Sequence, residues 1–255
     1  MDELAEHEAF LRAIFDAPDD DTPRLVYADF LDEHDAPDRA AFIRIGCELA
    51  RLHEEDGQPR LATLKEELAR IVERHEWAQQ TSDRGFPLID RIVLATAKLD
   101  DPIALRAAVV RDTPEWFGAK TLAIAPGRHL FPQHVDPLFA LPWTQQVTEW
   151  DLQGHVEEIA AGPQTGDAGA FALIDLYERP VISLSGVEAL VNHRGARRIH
   201  ALNLTHNNLD NDAARALVRS QYLVRLRRLD LFEGNRLRGK TWQQLIEKFG
   251  EDVVG

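Results

Sequence analysis

The stretch Ile199-His200-Ala201-Leu202-Asn203-Leu204-Thr205-His206-Asn207-Asn208-Leu209 decides the fold of this chain. Leu202 and Leu204 alternate with neighbouring residues as they would in a short strand with one buried face. Asn207 follows where a turn is expected, and its carboxamide can pair with loop backbone groups that would otherwise be buried without partners. The pattern predicts a strand followed by a turn that an asparagine side chain holds in place.

The same stretch is similar to the leucine-rich repeat, whose template is L-x-x-L-x-L-x-x-N-x-L. A second stretch, Leu226-Arg227-Arg228-Leu229-Asp230-Leu231, has the same apolar spacing, but Asn235 comes one residue later than the template places it. In Val147-Thr148-Glu149-Trp150-Asp151-Leu152 a tryptophan takes a leucine position, and His155 stands where asparagine is expected. The resemblance implies an irregular solenoid with parallel strands on the concave side and helices on the convex side.

Short β-type runs alternate with helical runs along the rest of the chain from about residue 83. The predicted strand cores are Ile92/Leu94, Leu122/Ile124, Trp150/Leu152, Ile182/Leu184, Leu202/Leu204 and Leu229/Leu231. The predicted helices between and after them lie at about 101–111, 134–141, 166–178, 186–193, 210–219 and 240–249. This alternation predicts an α/β fold with a parallel sheet.

The first 82 residues have apolar residues at helical spacing instead. Four helices are predicted there, at residues 3–15, from Pro23 to His34, from Asp38 to about Leu52 and from about Arg60 to Gln79. We therefore expect an acidic helical domain over residues 1–82 and the solenoid over residues 83–255.

Three segments of the helical region resemble the bacterial repeat-companion domain, a small domain named for occurring beside leucine-rich repeats. They are Phe10-Leu11-Arg12-Ala13-Ile14, the stretch from Asp19 to His34 with Leu25-Val26-Tyr27-Ala28-Asp29 at its centre, and Pro37-Asp38-Arg39-Ala40-Ala41-Phe42-Ile43-Arg44. Arg84-Gly85-Phe86 is similar to the passage that introduces the repeats in that family. The resemblance implies a two-part architecture and no particular activity.

The net charge of −14 is unevenly distributed. Residues 1–82 hold 21 acidic and 9 basic side chains, whereas residues 179–240 hold 5 acidic and 12 basic ones. The basic residues of the second region include Arg194, Arg197, Arg198, Arg215, Arg219, Arg225, Arg227, Arg228, Arg236, Arg238 and Lys240. Because arginine is a preferred partner of carboxylates at protein interfaces, we expect another protein with an acidic patch to face this region.

Nucleic-acid binding by the Arg-rich segment 194–240 is an alternative. Aromatic residues that could stack on bases are few there, mainly Tyr222 and Phe232, and the rest of the chain is acidic enough to repel phosphate. Protein binding is the better match to this composition.

The candidate partner-binding residues are the outward strand positions, since side chains alternate between the two faces of a strand. They are Glu149, Asp151, Gln153, Asn203, Thr205, Arg228, Asp230 and Phe232. Phe232 and Arg228 are the expected anchors, because aromatic and arginine side chains contribute much of the energy of interfaces. The sequence thus indicates a non-catalytic adaptor, scaffold or regulator, or more narrowly an inhibitor or regulatory subunit of a partner.

The sequence contains no familiar metal-ligand spacing, phosphate loop or nucleophile elbow, so we assign no catalytic, cofactor-binding or metal residue. The alternative that the chain is an enzyme with an unrecognised site on the repeats stays open. A deep pocket that joins His155, Asp151 and His206 would favour this alternative. Cys47, the single cysteine, lies in an apolar helical pattern and is expected to be a buried hydrophobic residue. The acidic N-terminus and the lack of a long apolar stretch predict a cytoplasmic protein without a membrane partner.

Overall fold

A computed structural model of the chain describes residues 3–52, 58–78, 82–87, 89–125, 127–160 and 174–255. Within these ranges the chain is mixed α/β and separates into two compact units. Unit 1 consists of Met1–Asp90 and Ile103–Ala119, and unit 2 consists of Arg91–Pro102 and Lys120–Gly255. No described helix has both the length and the apolar character needed to cross a membrane.

Unit 1 is built mainly from helices. They are α1 (Glu3–Asp16), α2 (Thr22–Glu33), α3 (Pro37–Arg51), α4 (Gln58–Arg74) and α5 (Pro102–Asp112), the last belonging to this unit from Ile103 onward. Short 3-10 turns at Glu76–Ala78 and Pro114–Gly118 and a hairpin of β1 (Ser82–Asp83) and β2 (Phe86–Pro87) complete it. The helices α1 to α4 match the four that the sequence predicts for this region.

Helix α3 and the β1–β2 turn meet at two glycines. A Cβ atom on Gly46 would lie 2.5 Å from the backbone nitrogen of Gly85. Gly85 itself has a φ of +84°, a conformation that other residues rarely adopt, and a Cβ there would lie 2.6 Å from the Cα of Ile43. The close approach of helix and turn therefore depends on the absence of side chains at both positions.

Cys47 lies on the buried side of α3 and is 1 % exposed. Burial raises the pKa of its thiol to about 11, and the neighbouring carboxylate of Asp21 acts in the same direction. Its interpretation as a buried hydrophobic residue is thus confirmed.

We predict that Cys47 in the folded chain resists thiol-specific reagents at mildly alkaline pH. With a pKa of about 11, only on the order of one thiol in a thousand is ionised near pH 8. The measurement is the absorbance change with a chromogenic disulfide reagent, and the chain in urea is the reactive control. Fast, stoichiometric modification of the folded chain would contradict this assignment.

Unit 2 alternates strands and helices in chain order. The elements are β3 (Arg91–Leu94), β4 (Thr121–Ile124), α6 (Pro132–Ala140), β5 (Glu149–Asp151), β6 (His155–Ala160), β7 (Ile174–Arg179), α7 (Leu184–Asn192), β8 (Ala201–Asn203), α8 (Asn211–Arg219), β9 (Arg228–Asp230) and α9 (Lys240–Phe249). In the described ranges, five strands form one parallel sheet in the order β3-β4-β5-β8-β9, while β6 and β7 form a separate antiparallel hairpin. Helix α6 packs on α7, α7 on α8, and α8 on α9.

The core of unit 2 follows the strand register. Equivalent central positions of the five paired strands are occupied by Ile92, Leu122, Trp150, Leu202 and Leu229, all fully buried. Leu204 and Leu231, which follow β8 and β9, are also fully buried. The prediction of an α/β fold with a parallel sheet is confirmed, as is the burial of these leucines.

Two predicted elements of unit 2 are wrong. Ile182 forms only an isolated bridge to Leu130, and Leu184 starts helix α7, whose N-cap is Ser183. The apolar residues at 184, 187, 190 and 191 continue at helical spacing, and this outweighs the short alternation at Ile182/Leu184. The predicted helix at 166–178 is also corrected, because Ile174–Arg179 is strand β7 and pairs with β6, while residues 166–173 lie outside the described residues.

The buried carboxamide of Asn207 joins its own turn to two neighbouring segments. Its Nδ2 donates to the carbonyl oxygens of Leu152 (2.7 Å), Leu204 (3.0 Å) and Thr205 (3.0 Å). Its Oδ1 accepts from the backbone nitrogens of Val181 (2.7 Å) and Ile182 (3.0 Å). The prediction that Asn207 satisfies backbone groups in its turn is confirmed.

Asn235 repeats this arrangement one strand further along. Its Nδ2 donates to the carbonyls of Leu204 (2.9 Å) and Leu231 (2.8 Å), and its Oδ1 accepts from Leu209 N (2.8 Å) and Asn207 N (3.3 Å). The extra residue before it is accommodated by Gly234, which has a φ of +66° and approaches the backbone of His206 too closely for a Cβ. We refer to Asn207 and Asn235 together as the asparagine pair.

We predict that Asn207→Ala lowers the free energy of unfolding by about 1–3 kcal/mol, because buried backbone groups lose their partners. Urea denaturation monitored by circular dichroism measures the change. Asn192→Ala is the matched control, since Asn192 is exposed at the end of α7, and we expect it to change stability by less than about 0.5 kcal/mol. Equal unfolding midpoints for Asn207→Ala and the wild type would refute the role given to this side chain.

Candidate functional site

The candidate partner-binding residues lie on one face of the unit 2 sheet. Parallel pairing aligns Glu149, Ala201 and Arg228 in one row, and Asp151, Asn203 and Asp230 in the next. Gln153, Thr205 and Phe232 lie two residues after the ends of β5, β8 and β9, and they line the same groove as Asn203 and Asp230. We call the predicted set, Glu149, Asp151, Gln153, Asn203, Thr205, Arg228, Asp230 and Phe232, the outer sheet face.

Asn203 is the centre of a polar network on this face. Its Nδ2 donates to Asp151 Oδ1 (3.0 Å) and lies 3.5 Å from Gln153 Oε1. Its Oδ1 accepts from both the backbone nitrogen (3.1 Å) and the hydroxyl (2.8 Å) of Thr205. Four of the predicted residues are therefore held together by direct hydrogen bonds.

Long arginine side chains span intervening strands on this face. Arg91 on β3 reaches Asp151 on β5, with 2.6 Å between Nη2 and Oδ2. Arg228 on β9 lies 4.0 Å from Glu149 on β5 and 3.2 Å from Asp230 on its own strand. The strands that they cross carry Ala123 and Ala201 at the corresponding positions, and these small side chains leave room for the arginines.

An exposed aromatic residue lies at one end of the outer sheet face. Phe232 is 68 % exposed, and its ring packs edge to face against Trp242 with 5.9 Å between centroids. Beside it is a groove of about 440 Å³ whose lining includes Gln153, Asn203 and Asp230. The face thus combines a fixed polar network with an accessible apolar contact.

The edge of the sheet next to Phe232 is covered by the chain itself. The nitrogen of Leu229 donates to the carbonyl of Val253 (2.7 Å), and that of Leu231 donates to the carbonyl of Gly255 (2.8 Å). The backbone nitrogens of Leu229 and Leu231 are therefore already paired. A partner would contact this end of the sheet through side chains and not by adding a strand next to β9.

The three residues that would favour an enzyme do not form a described catalytic group. Asp151 is engaged by Arg91 and Asn203, whereas His206 lies 3.5 Å from Glu233. The side chain of His155 lies outside what the structure describes. Within the described ranges, no group of three or more histidine, cysteine or acidic side chains is arranged to hold a metal ion.

The Arg-rich segment does not form one surface. Arg228 lies on the outer sheet face, and Arg215 pairs with Asp212 on α8. Arg194, Arg197 and Arg198 instead form a 3-10 turn that precedes β8 and lines a separate cleft of about 620 Å³. We call this the basic cleft. Its arginines could be singled out in the sequence, but the residues of α6 that line the cleft beside them could not.

One wall of the basic cleft is aromatic. Phe139 of α6 stacks on His193, with 4.4 Å between the ring centroids and 9° between the planes. The Phe139 ring also stacks on Trp150, with 4.8 Å between the centroids. His193 Nδ1 accepts a hydrogen bond from the nitrogen of Gly195 (2.9 Å), which caps the 3-10 turn. The stacking and the cap fix both the ring and the start of the arginine turn.

Burial lowers the pKa of His193 below its ordinary value of 6.5. Asp136, 3.6 Å from its Nε2, acts in the opposite direction, and Arg194 and Arg198 lower the pKa further. Protonation of Nδ1 would also remove the acceptor for Gly195. The neutral ring is therefore the form that fits the folded structure.

Comparisons of the chain with protein-family models, with curated proteins and with solved structures found no match.

We predict that His193 makes the folded state less stable as the pH falls below 6.5. Its folded pKa is below the unfolded value, so the unfolded chain takes up a proton that the folded chain does not, and stability decreases through the interval between the two pKa values. His193→Asn retains a short side-chain acceptor for Gly195 without this titration. In urea denaturation at a series of pH values, the wild type should lose more stability on acidification than the variant; parallel curves would contradict the prediction.

Proposed function

We propose that this chain is a non-catalytic protein-binding protein that acts as an adaptor, scaffold or regulator through the outer sheet face. The observation that carries the proposal is the exposure of Phe232 beside a polar network that is already formed. Aromatic side chains are enriched among the residues that contribute most to the energy of interfaces. Since Trp242 packs against the Phe232 ring, a partner would not have to supply all the energy needed to order it.

The scaffold that we propose for this face is an irregular solenoid of leucine-rich-repeat type, with the outer sheet face on its concave side. The asparagine pair supports it, because Asn207 and Asn235 each bond their own turn and the preceding one. Neighbouring strands from β3 to β9 also follow chain order, and helices α6 to α9 pack in the same order. In the same proposal, residues 1–82 form a repeat-companion domain of a cytoplasmic protein.

The proposed partner is another protein with an acidic patch that faces Arg228 and an apolar group that contacts Phe232. Arg228 is well exposed, and its distances to Asp230 and Glu149, 3.2 and 4.0 Å, leave its guanidinium able to take an additional carboxylate. A narrower form of the proposal is an inhibitor or regulatory subunit that covers a functional surface of its partner, and this form rests on analogy between folds.

We predict that Phe232→Ala and Arg228→Glu each weaken the complex by roughly tenfold or more, because aromatic and arginine anchors contribute strongly to interfaces. The partner is first isolated by affinity capture and identified, and the purified proteins are then titrated by calorimetry. The Arg228→Glu loss should shrink as the salt concentration rises, since a charge interaction is screened.

Two exposed positions away from the outer sheet face provide matched controls. Val224→Ala removes an apolar side chain that is 71 % exposed in the loop before β9, and Arg215→Glu reverses a charge on α8. Both should bind like the wild type. If the two sheet-face variants fold and retain full affinity, the outer sheet face is not the binding surface.

A further inference from the structure

The basic cleft has an excess of positive charge that its surroundings do not neutralise. Arg194, Arg197 and Arg198 line it, and the single carboxylate among its lining residues is Asp136, whose side chain is 89 % exposed and lies 3.6 Å from His193. Among the described residues, none of the three arginines is within ion-pair distance of a carboxylate. The chain has 43 acidic residues against 29 basic ones, so this imbalance does not come from a shortage of acids.

Arg198 contributes a donor that the described residues leave unsatisfied. Its Nε is buried and has no hydrogen-bond partner among them. A buried donor without an acceptor costs free energy, so the protein contacts of Arg198 leave part of its guanidinium unpaired. The other two arginines add exposed donors on the same turn.

The walls of the cleft are fixed before any ligand arrives. Arg197 lies over the ring of Tyr222, with 5.2 Å from its guanidinium carbon to the ring centroid. His193 is held between Phe139 and the nitrogen of Gly195. Because Arg197 is held against Tyr222, it loses less conformational entropy on binding than a free arginine would, which favours a small ligand with few contacts of its own.

We propose that the basic cleft binds a small phosphate-bearing anion, held by Arg194, Arg197 and Arg198, with Gln145, which also lines the cleft, as an additional polar contact. A guanidinium presents parallel N–H donors that match two phosphate oxygens, and three of them can neutralise more than one negative charge. The volume of about 620 Å³ is in the range of small-molecule sites. This site is separate from the outer sheet face, so the two proposals can fail independently.

The test is calorimetric titration of inorganic pyrophosphate into the full chain in a buffer of low ionic strength without divalent cations. The wild type should bind one equivalent, and Arg194→Gln and Arg198→Gln should each weaken binding by roughly tenfold or more. Arg215→Gln is the matched control, because this arginine lies on α8 outside the cleft, and its affinity should stay within about twofold of the wild type. If Arg198→Gln does not fold, the exposed Arg194 still provides the decisive variant.

Three results would overturn the proposal. The first is the absence of saturable binding up to about 10 mM pyrophosphate, and the second is an equal loss of affinity in Arg194→Gln and Arg215→Gln. The third is a preference for another class of ligand, which is tested by titrating citrate and a single-stranded oligonucleotide into the chain. Citrate that binds more tightly than pyrophosphate would assign the cleft to carboxylates. An oligonucleotide whose binding needs the same arginines, and which pyrophosphate does not displace, would assign the cleft to nucleic acid.

Discussion

Buried backbone groups at the carboxyl ends of the strands need partners, and the asparagine pair provides them. Each carboxamide is both donor and acceptor, so one side chain can satisfy carbonyl and N–H groups from two consecutive turns. A leucine or an aspartate could not do both. The spacing between successive strand ends, and with it the alignment of the residues on the outer sheet face, depends on this constraint.

The same strand order gives the two ends of the sheet different chemistry. Beyond the carboxyl ends, the polar network around Asn203 leads to Phe232 and its groove. At the amino end of β8, the 3-10 turn Arg194–Arg198 and helix α6 enclose the basic cleft. A protein-binding face and a small-anion site are therefore compatible in one unit, because the residues that line the basic cleft are not part of the outer sheet face.

Pairing, rather than the number of charges, decides what the arginines of this chain can do. Arg91 is paired with Asp151, and Arg228 lies beside Asp230 with much of its side chain still exposed; such half-exposed pairs contribute little to stability but orient the side chains. The arginines of the basic cleft lie among aromatic and polar groups with one exposed carboxylate, Asp136, and burial lowers the pKa of Arg198. Their positive charge is available to a ligand although the chain as a whole is strongly acidic.

The sequence by itself determined the features that depend on local periodicity and on one side chain's bonding capacity. The buried leucines of β8 and β9, the parallel α/β pattern, the helices α1 to α4 and the role of Asn207 all follow from spacing that a single segment carries. Tertiary structure decided what depends on distant segments. It turned Leu184 into the start of a helix capped by Ser183, paired residues 174–179 with β6, and let Gly234 bring the late Asn235 into the position of its counterpart. It also placed Phe139 of α6 against His193, because a cleft forms only where segments far apart in the chain pack together.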